Sequence, residues 1–305
     1  MDYLIKPCSF LFIIFLTYLL KRTGMFKKEY SMIVMKIILN ITLPAVVISA
    51  FADLERDLSL LLLVILGFGA SLGSYFLMYA LSRKAGKADR IYRVIGVSGY
   101  NVGCYGMPVI SAFFGNIGTI TSIMFDIGNS AMMIGGNYAF TSILLQTGGE
   151  STPVRPSDLL RRFFSSAAMI TYMVVLVLYI LGISIPQRAA DFISPLSSAN
   201  AFLSMFMLGL LFTLPRKKED WKGTLAILAF RFAVGAALAA VMFHILPFSL
   251  EIRRIAVLLL LCPMGSVAPA FIERCGGDGE LASFTNSMST LSSLIVMSIL
   301  AGYFN

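Results

Sequence analysis

The sequence has one histidine, His244, one tryptophan and four cysteines, and only 13% of its 305 residues are charged. Cys8, Cys104, Cys262 and Cys275 are widely spaced, so with a single histidine they supply neither a Cys/His zinc site nor a disulfide framework. No metal and no cofactor is expected. Soluble domains are roughly a quarter charged. A chain that is 58% hydrophobic with a mean hydropathy of +0.84 belongs in a lipid bilayer. A spanning helix takes about 20 mostly apolar residues, so ten spans use about 200 positions and leave short loops with no separate soluble domain.

Hydropathy places candidate spans at 10–20, 32–52, 59–81, 91–114, 119–145, 163–181, 195–214, 224–246, 252–272 and 281–303. The first starts as early as Tyr3. Asp2 precedes Lys6, and Lys21-Arg22 stands where a small-residue cleavage site would be, so it reads as a retained span and not a signal peptide. Of the Lys and Arg residues, 17 fall in the intervals after the odd-numbered spans and five (Lys6, Arg56, Arg188, Arg253 and Arg254) on the other side. The positive-inside rule then puts both termini outside. The net charge of +8 reads as orientation and contact with anionic lipid, not as nucleic-acid binding.

The longest polar interval, Gln146 to Leu160, divides the spans five and five. Five is odd, so the second half enters the membrane from the opposite face. The expected fold is all-α and integral to the membrane: a first five-helix repeat over 1–146, a cytoplasmic linker over 147–160 and an inverted repeat over 161–305. Inverted repeats point to alternating-access transport. An internal echo accompanies the symmetry, since Pro108 is followed seven residues on by Gly115, and Pro269 by Gly276, with Ala-Phe inside both intervals.

Spans four and nine carry the helix breakers, Gly99-Tyr100-Asn101-Val102-Gly103-Cys104-Tyr105-Gly106-Met107-Pro108 and Cys262-Pro263-Met264-Gly265-Ser266-Val267-Ala268-Pro269. Unpaired backbone is tolerated at membrane depth only inside protein or beside a watery cavity. Two matched interruptions therefore point to one central cavity. The half-helices that restart beyond them offer free N–H groups and a positive dipole end, which suits an anion. The expected substrate-binding set is Asn101, Gly103, Gly106, Pro108, Pro263, Ser266 and Pro269, with Asn40 on the facing wall. Asp126 and Arg231 are ionisable residues deep in spans five and eight, expected as an ion pair or as coupling groups. If Arg231 holds Asp126 ionised, transport is uniport driven by membrane potential; if it does not, Asp126 is the candidate proton carrier.

Several stretches resemble the auxin efflux carriers and their bacterial relatives, whose fold is shared with the bile acid sodium symporters. Leu19-Leu20-Lys21-Arg22-Thr23-Gly24 is similar to that family's basic turn, Asn40-Ile41-Thr42-Leu43-Pro44-Ala45 to its Asn-x-x-Leu-Pro signature, and Asn101 to Pro108 to its crossover motif. Glu273-Arg274-Cys275-Gly276, Glu280-Leu281-Ala282-Ser283 and Ser289 to Leu294 follow its closing pattern. Thr17 stands where glycine is common, Cys275 where tyrosine is common, and Pro269 is an added break. The resemblance implies a scaffold of spans one, two, six and seven and a mobile transport domain of spans three to five and eight to ten. It also implies a small organic anion as substrate: indole-acetate in plants, malate or malonate in bacteria.

The expected partners are that anion and the lipid bilayer of the plasma membrane (the inner membrane of a bacterium), with a homodimer as a candidate assembly. Two readings belong to other classes: a non-transporting sensor or channel, and an intramembrane serine protease. For the latter, Gly96-Val97-Ser98-Gly99 has the form of a serine-protease motif with His244 as base. Span geometry puts Ser98 and His244 roughly 20 Å apart in depth, against the ~3 Å that proton transfer needs.

Overall fold

The computed structural model describes residues 5–147 and 166–304, and helices make up nearly all of its regular structure. In chain order the helices are α1 (Ile5–Arg22), α2 (Tyr30–Ile37), α3 (Leu43–Ala50), α4 (Leu61–Leu81), α5 (Lys87–Val97), α6 (Met107–Ala131), α7 (Asn137–Leu144), α8 (Ala167–Leu181), α9 (Gln187–Leu211), α10 (Asp220–Ile245), α11 (Leu250–Leu259), α12 (Ala268–Arg274) and α13 (Gly279–Phe304). Single π-helical turns join α2 to α3 and α6 to α7. Among the described residues six helical stretches are long and apolar enough to cross a membrane. Most of the expected linker, from residue 148 onward, lies outside the described residues.

Many large apolar side chains lie on the surface, and the mainly apolar interior also encloses polar groups. Phe12, Ile65, Val177, Phe192 and Ile299 are exposed, while Asn101, Asn129, Asn137, Asn200 and Asp126 are buried. Lipid faces the first set; the second must find partners inside. Small residues set the helix packing, as expected where lipid tails compete with Leu and Ile for apolar contact. Gly67 of α4 lies against the carbonyl of Phe125, and Gly128 of α6 against that of Val64, so any side chain at either position would collide with the facing backbone. Gly209 of α9 admits Thr17 of α1 in the same manner.

The helices sort into two packed groups. The first comprises α1, α2, α3, α8 and α9; the second comprises α4 to α7 and α10 to α13. Within the first, Thr42 donates to Asn200 Oδ1 at 2.8 Å. At one end of this group Asp53 N donates to Ile185 O at 3.0 Å, and the Tyr179 hydroxyl lies 2.7 Å from both the N and O of Asp57. At the other end, Lys21 donates to the carbonyls of Leu210 and Phe212, capping the C-terminus of α9.

Helices cover the described part of each expected apolar segment, and the largest shift of a boundary is at the seventh. That span was expected to begin at Pro195, but α9 begins at Gln187 and carries Pro195 inside it. The proline removes the N–H that would have bonded the Asp191 carbonyl. Ser194 Oγ supplies a replacement, donating to Asp191 O at 2.8 Å, so the helix continues through.

Both expected breaks are present. Between α5 and α6 the chain leaves the helix at Ser98, turns through Gly99 at φ 78°, runs extended to Asn101 and re-enters through a π-helical turn, Val102–Gly106. Between α11 and α12 the helix gives way from Leu260 to Val267. Pro263 sits inside the second break, whereas Pro108 and Pro269 each stand second in the α-helix that follows a break. The paired glycines also take equivalent places. Gly115 and Gly276 both have positive φ, 57° and 89°, and each ends the short helix begun by its proline. The continuous stretch Val102–Leu144 is 43 residues long. At 1.5 Å per residue that is about 65 Å, twice a bilayer's hydrocarbon thickness, so the break at Gly115 must separate two legs.

Candidate functional site

The two breaks meet. Asn101 N donates to Pro263 O at 2.9 Å, joining the unwound segments backbone to backbone. The Asn101 side chain extends the same link, Nδ2 donating to Ser266 Oγ at 2.7 Å. Ser266 accepts this bond and keeps its own O–H, and Asn101 Nδ2 keeps a second N–H. These are two neutral donors at one point.

That point borders a cavity of about 270 Å³ lined by Asn101, Gly103, Cys104, Asp126, Ser130, Tyr172 and Ser266, with Met35, Leu39, Met169 and Phe271 as apolar walls. Its wall residues from α2 and α8 lie near the helix ends that carry the basic intervals, so it sits on the basic-face side of the crossing. A second hollow of about 400 Å³ on that side shares Ser266 and is lined by Lys28, Glu29, Pro269, Glu273 and Asn286. On the opposite side of the crossing lies a polar hollow of about 240 Å³ with Ser49, Pro108, Ser111, Asn116 and Asn200 on its walls.

The unwound segment of the first break is held by asparagines that sequence reasoning did not single out. Asn129 Oδ1 accepts from Tyr100 N at 2.9 Å and Ser71 Oγ at 2.8 Å, while its Nδ2 donates to Tyr100 O at 2.7 Å and Asp126 Oδ1 at 2.8 Å. One side chain thereby replaces both backbone partners that Tyr100 loses outside a helix. Asn137 does similar work at Ser98: its Oδ1 lies 2.8 Å from Ser98 Oγ, and its Nδ2 donates to Ser98 O at 3.3 Å. In the second break, Ser289 Oγ accepts from Met264 N at 3.0 Å. The available signal was an amide facing a helix-breaking segment, but its pairing depends on neighbouring helices.

Arg231 and Asp126 do not pair with each other. Arg231 is buried, and its guanidinium donates to Val97 O at 2.8 Å, Gly96 O at 3.3 Å and Cys262 O at 2.9 Å. Asp126 is bonded instead by Asn129 and by the Tyr172 hydroxyl, which donates to Oδ2 at 2.8 Å. The guanidinium goes to the carbonyls because unwound backbone offers it several acceptors at once. Arg231 therefore does not hold Asp126 in an ion pair.

Other expected site residues divide. Asn101, Gly103 and Ser266 line the central cavity, and Gly103 has no side chain to press on Asp126 Oδ2. Pro263 contributes its carbonyl to the crossing, and Gly106 packs against Cys262 Sγ. Pro108 and Pro269 face the flanking hollows. Asn40 misses the cavity: it is exposed, donates to Lys36 O at 2.8 Å on its own helix and accepts from Ala167 N at 3.4 Å. The π-helical turn Ile38–Thr42 shifts the face on which it emerges. Ser98 Oγ lies against Ser71 O and Asn137 Oδ1, and His244, thirteen residues beyond Arg231 on α10, lies about 20 Å further along that helix. The serine-protease geometry is not formed.

Apolar helices long enough to span a bilayer, packed around a buried polar crossing flanked by hollows, mark a multi-pass helical membrane protein. No protein-family model matches the chain. It is similar to a protein of Methanothermobacter thermautotrophicus named "Uncharacterized transporter", 22% identical over 291 residues that cover 94% of this chain and 93% of the relative. The likeness and the apolar helices together support a membrane transporter and are consistent with a protein that is not an enzyme.

Replacing Asn129 by alanine strands the Tyr100 backbone in an apolar interior, with an expected cost of about 2–4 kcal/mol. Asn40→Ala removes only an exposed bond to its own helix, and its stability should stay within about 0.5 kcal/mol of the parent. Thermal unfolding of both variants in one detergent checks the contrast.

Proposed function

We propose that this chain is a secondary transporter of the auxin efflux carrier type, moving a small organic anion, a mono- or dicarboxylate, across the plasma membrane by alternating access of the elevator kind. The observation that carries the reading is the crossing of two broken helices at Asn101 and Pro263, with neutral donors on Asn101 and Ser266 and hollows on both sides. Donors without a full charge suit a carboxylate that must also be released. In this reading α1 to α3 with α8 and α9 form the scaffold, and the second packed group is the moving body. The chain crosses ten times in two inverted repeats, with both termini outside.

Labelling tests the topology. In a background lacking the exposed Cys8, Lys84→Cys should react with an impermeant maleimide only from the cytoplasmic side and Ser184→Cys only from outside. Both positions reacting from one side would overturn it. For function, labelled carboxylates taken up by proteoliposomes should show saturable transport. Asn101→Ala should lower it about tenfold or more, the equivalent of one hydrogen bond to a charged group. Saturable transport of a cation or neutral sugar, with no carboxylate flux, would reject the reading.

A specific observation favours proton coupling over potential-driven uniport. Asp126 shares the cavity with the substrate position and has no cationic partner among the described residues, so an anion entering beside an ionised Asp126 meets like charge in a small apolar space. A proton taken up with the anion removes that repulsion. The Tyr172 to Asp126 bond also joins the first helix group to the second, and it must open if the two slide. With membrane potential clamped at zero, acid on the substrate side should accelerate uptake by the parent protein. Asp126→Asn should lose that acceleration and retain substrate exchange. Acceleration that survives in the variant would exclude Asp126 as the proton carrier.

A further inference from the structure

Arg231 occupies an unusual place for a charge. It lies eleven residues into α10, about 16 Å from the helix start, and is 8% exposed. None of the ion pairs among the described residues includes it. Its surroundings are Leu228, Phe232, Leu260 and Leu261 with Ser289 and Ser293, leaving no room for a water molecule. A buried cation normally requires a counter-charge. Here the counter-charge is backbone: Gly96 and Val97 are the last residues but one and last of α5, and Cys262 lies just past the end of α11. Each helix end carries a partial negative charge of about half a unit, and two converge on one guanidinium. The Tyr100 ring, 5.2 Å from the guanidinium carbon, adds its negative face.

In broken-helix carriers, unwound carbonyls and half-helix C-terminal ends are the groups that hold a coupling cation. We infer that Arg231 is a tethered cation filling a carbonyl-lined cation site at the helix crossing, so that it positions both broken helices and the protein needs no sodium ion there. The planar fork matches the arrangement, since one terminal nitrogen serves α5 and the other serves α11, tying the two ends into one unit. A lysine ammonium, compact and strongly hydrated, does not span the three carbonyls in the same way. The transport part of this inference rests on the transporter reading; the cation-site part does not.

The test uses the purified full chain. Unfolding of the parent protein should be the same in sodium chloride and choline chloride. Arg231→Ala empties the site and should unfold at least about 5 °C lower. Millimolar guanidinium or sodium should restore part of that loss, whereas choline should not. The same guanidinium should leave the parent unchanged. Arg231→Lys keeps the site filled, so it should be less stable than the parent and gain nothing from guanidinium. A parent stabilised selectively by sodium would overturn the inference, and so would an Arg231→Ala protein indifferent to both cations. If Arg231→Ala does not fold, the parent and Arg231→Lys measurements decide by the same criteria. For any carboxylate found to be transported, uptake by the parent should be equal in sodium and choline. Absence of all carboxylate flux would count against the substrate reading and leave the unfolding results to judge the site.

Discussion

Every part of this molecule answers to the hydrogen-bonding demand of backbone that leaves the helix inside a membrane. A helix satisfies its own N–H and C=O groups, and a break exposes several to a medium with no water, at a cost of several kcal/mol each. Two breaks placed apart would need two sets of partners. Placed together they partly satisfy one another, as Asn101 N and Pro263 O do. The remaining groups are met by side chains from helices packed around the crossing: Asn129 for Tyr100, Asn137 for Ser98, Ser289 for Met264 and Arg231 for Gly96, Val97 and Cys262.

This demand explains the glycine-mediated packing between α4 and α6. Asn129 and Asp126 are on α6, and Ser71 is on α4; for Ser71 to reach Asn129 at 2.8 Å the two helix backbones must approach closely. Gly67 and Gly128 permit that approach. The result is a local body that holds the first break, its supporting asparagine and the cavity carboxylate together. Connections to the other helix group are fewer. Tyr172 to Asp126 is one polar contact across the cavity, and the rest of that wall is Met35, Leu39 and Met169. Apolar walls and flexible methionines allow sliding more readily than a network of buried polar bonds would.

The polar residues of the interior therefore have two duties. Asn129, Asn137, Ser289 and Arg231 are spent on backbone and have little capacity left for a ligand. Asn101 and Ser266 bond each other and keep donors in reserve beside the cavity. Basic residues divide in the same manner at the surface: Lys21 caps α9, while Arg253 and Arg254 donate to the carbonyls of Phe243 and Phe304 near the ends of α10 and α13. Two of the few cations on the sparsely charged side thus have backbone partners.

The sequence by itself determined the membrane class, the apolar helical segments and the two positions of breakage, because hydropathy and the backbone limits of proline and glycine act locally. It also marked Asn101 and Ser266, since polar side chains beside a break have few apolar alternatives. The tertiary structure alone decided what each deep polar group bonds. Position along a helix is counted in residues, but facing direction depends on helix rotation and on irregularities such as the π-helical turn that leaves Asn40 outside the cavity. Depth and ionisability alone leave Arg231 and Asp126 open to being an ion pair or separate coupling groups. Only the crossing of α5 and α11 shows that converging carbonyls take the guanidinium, leaving the carboxylate to Asn129 and Tyr172.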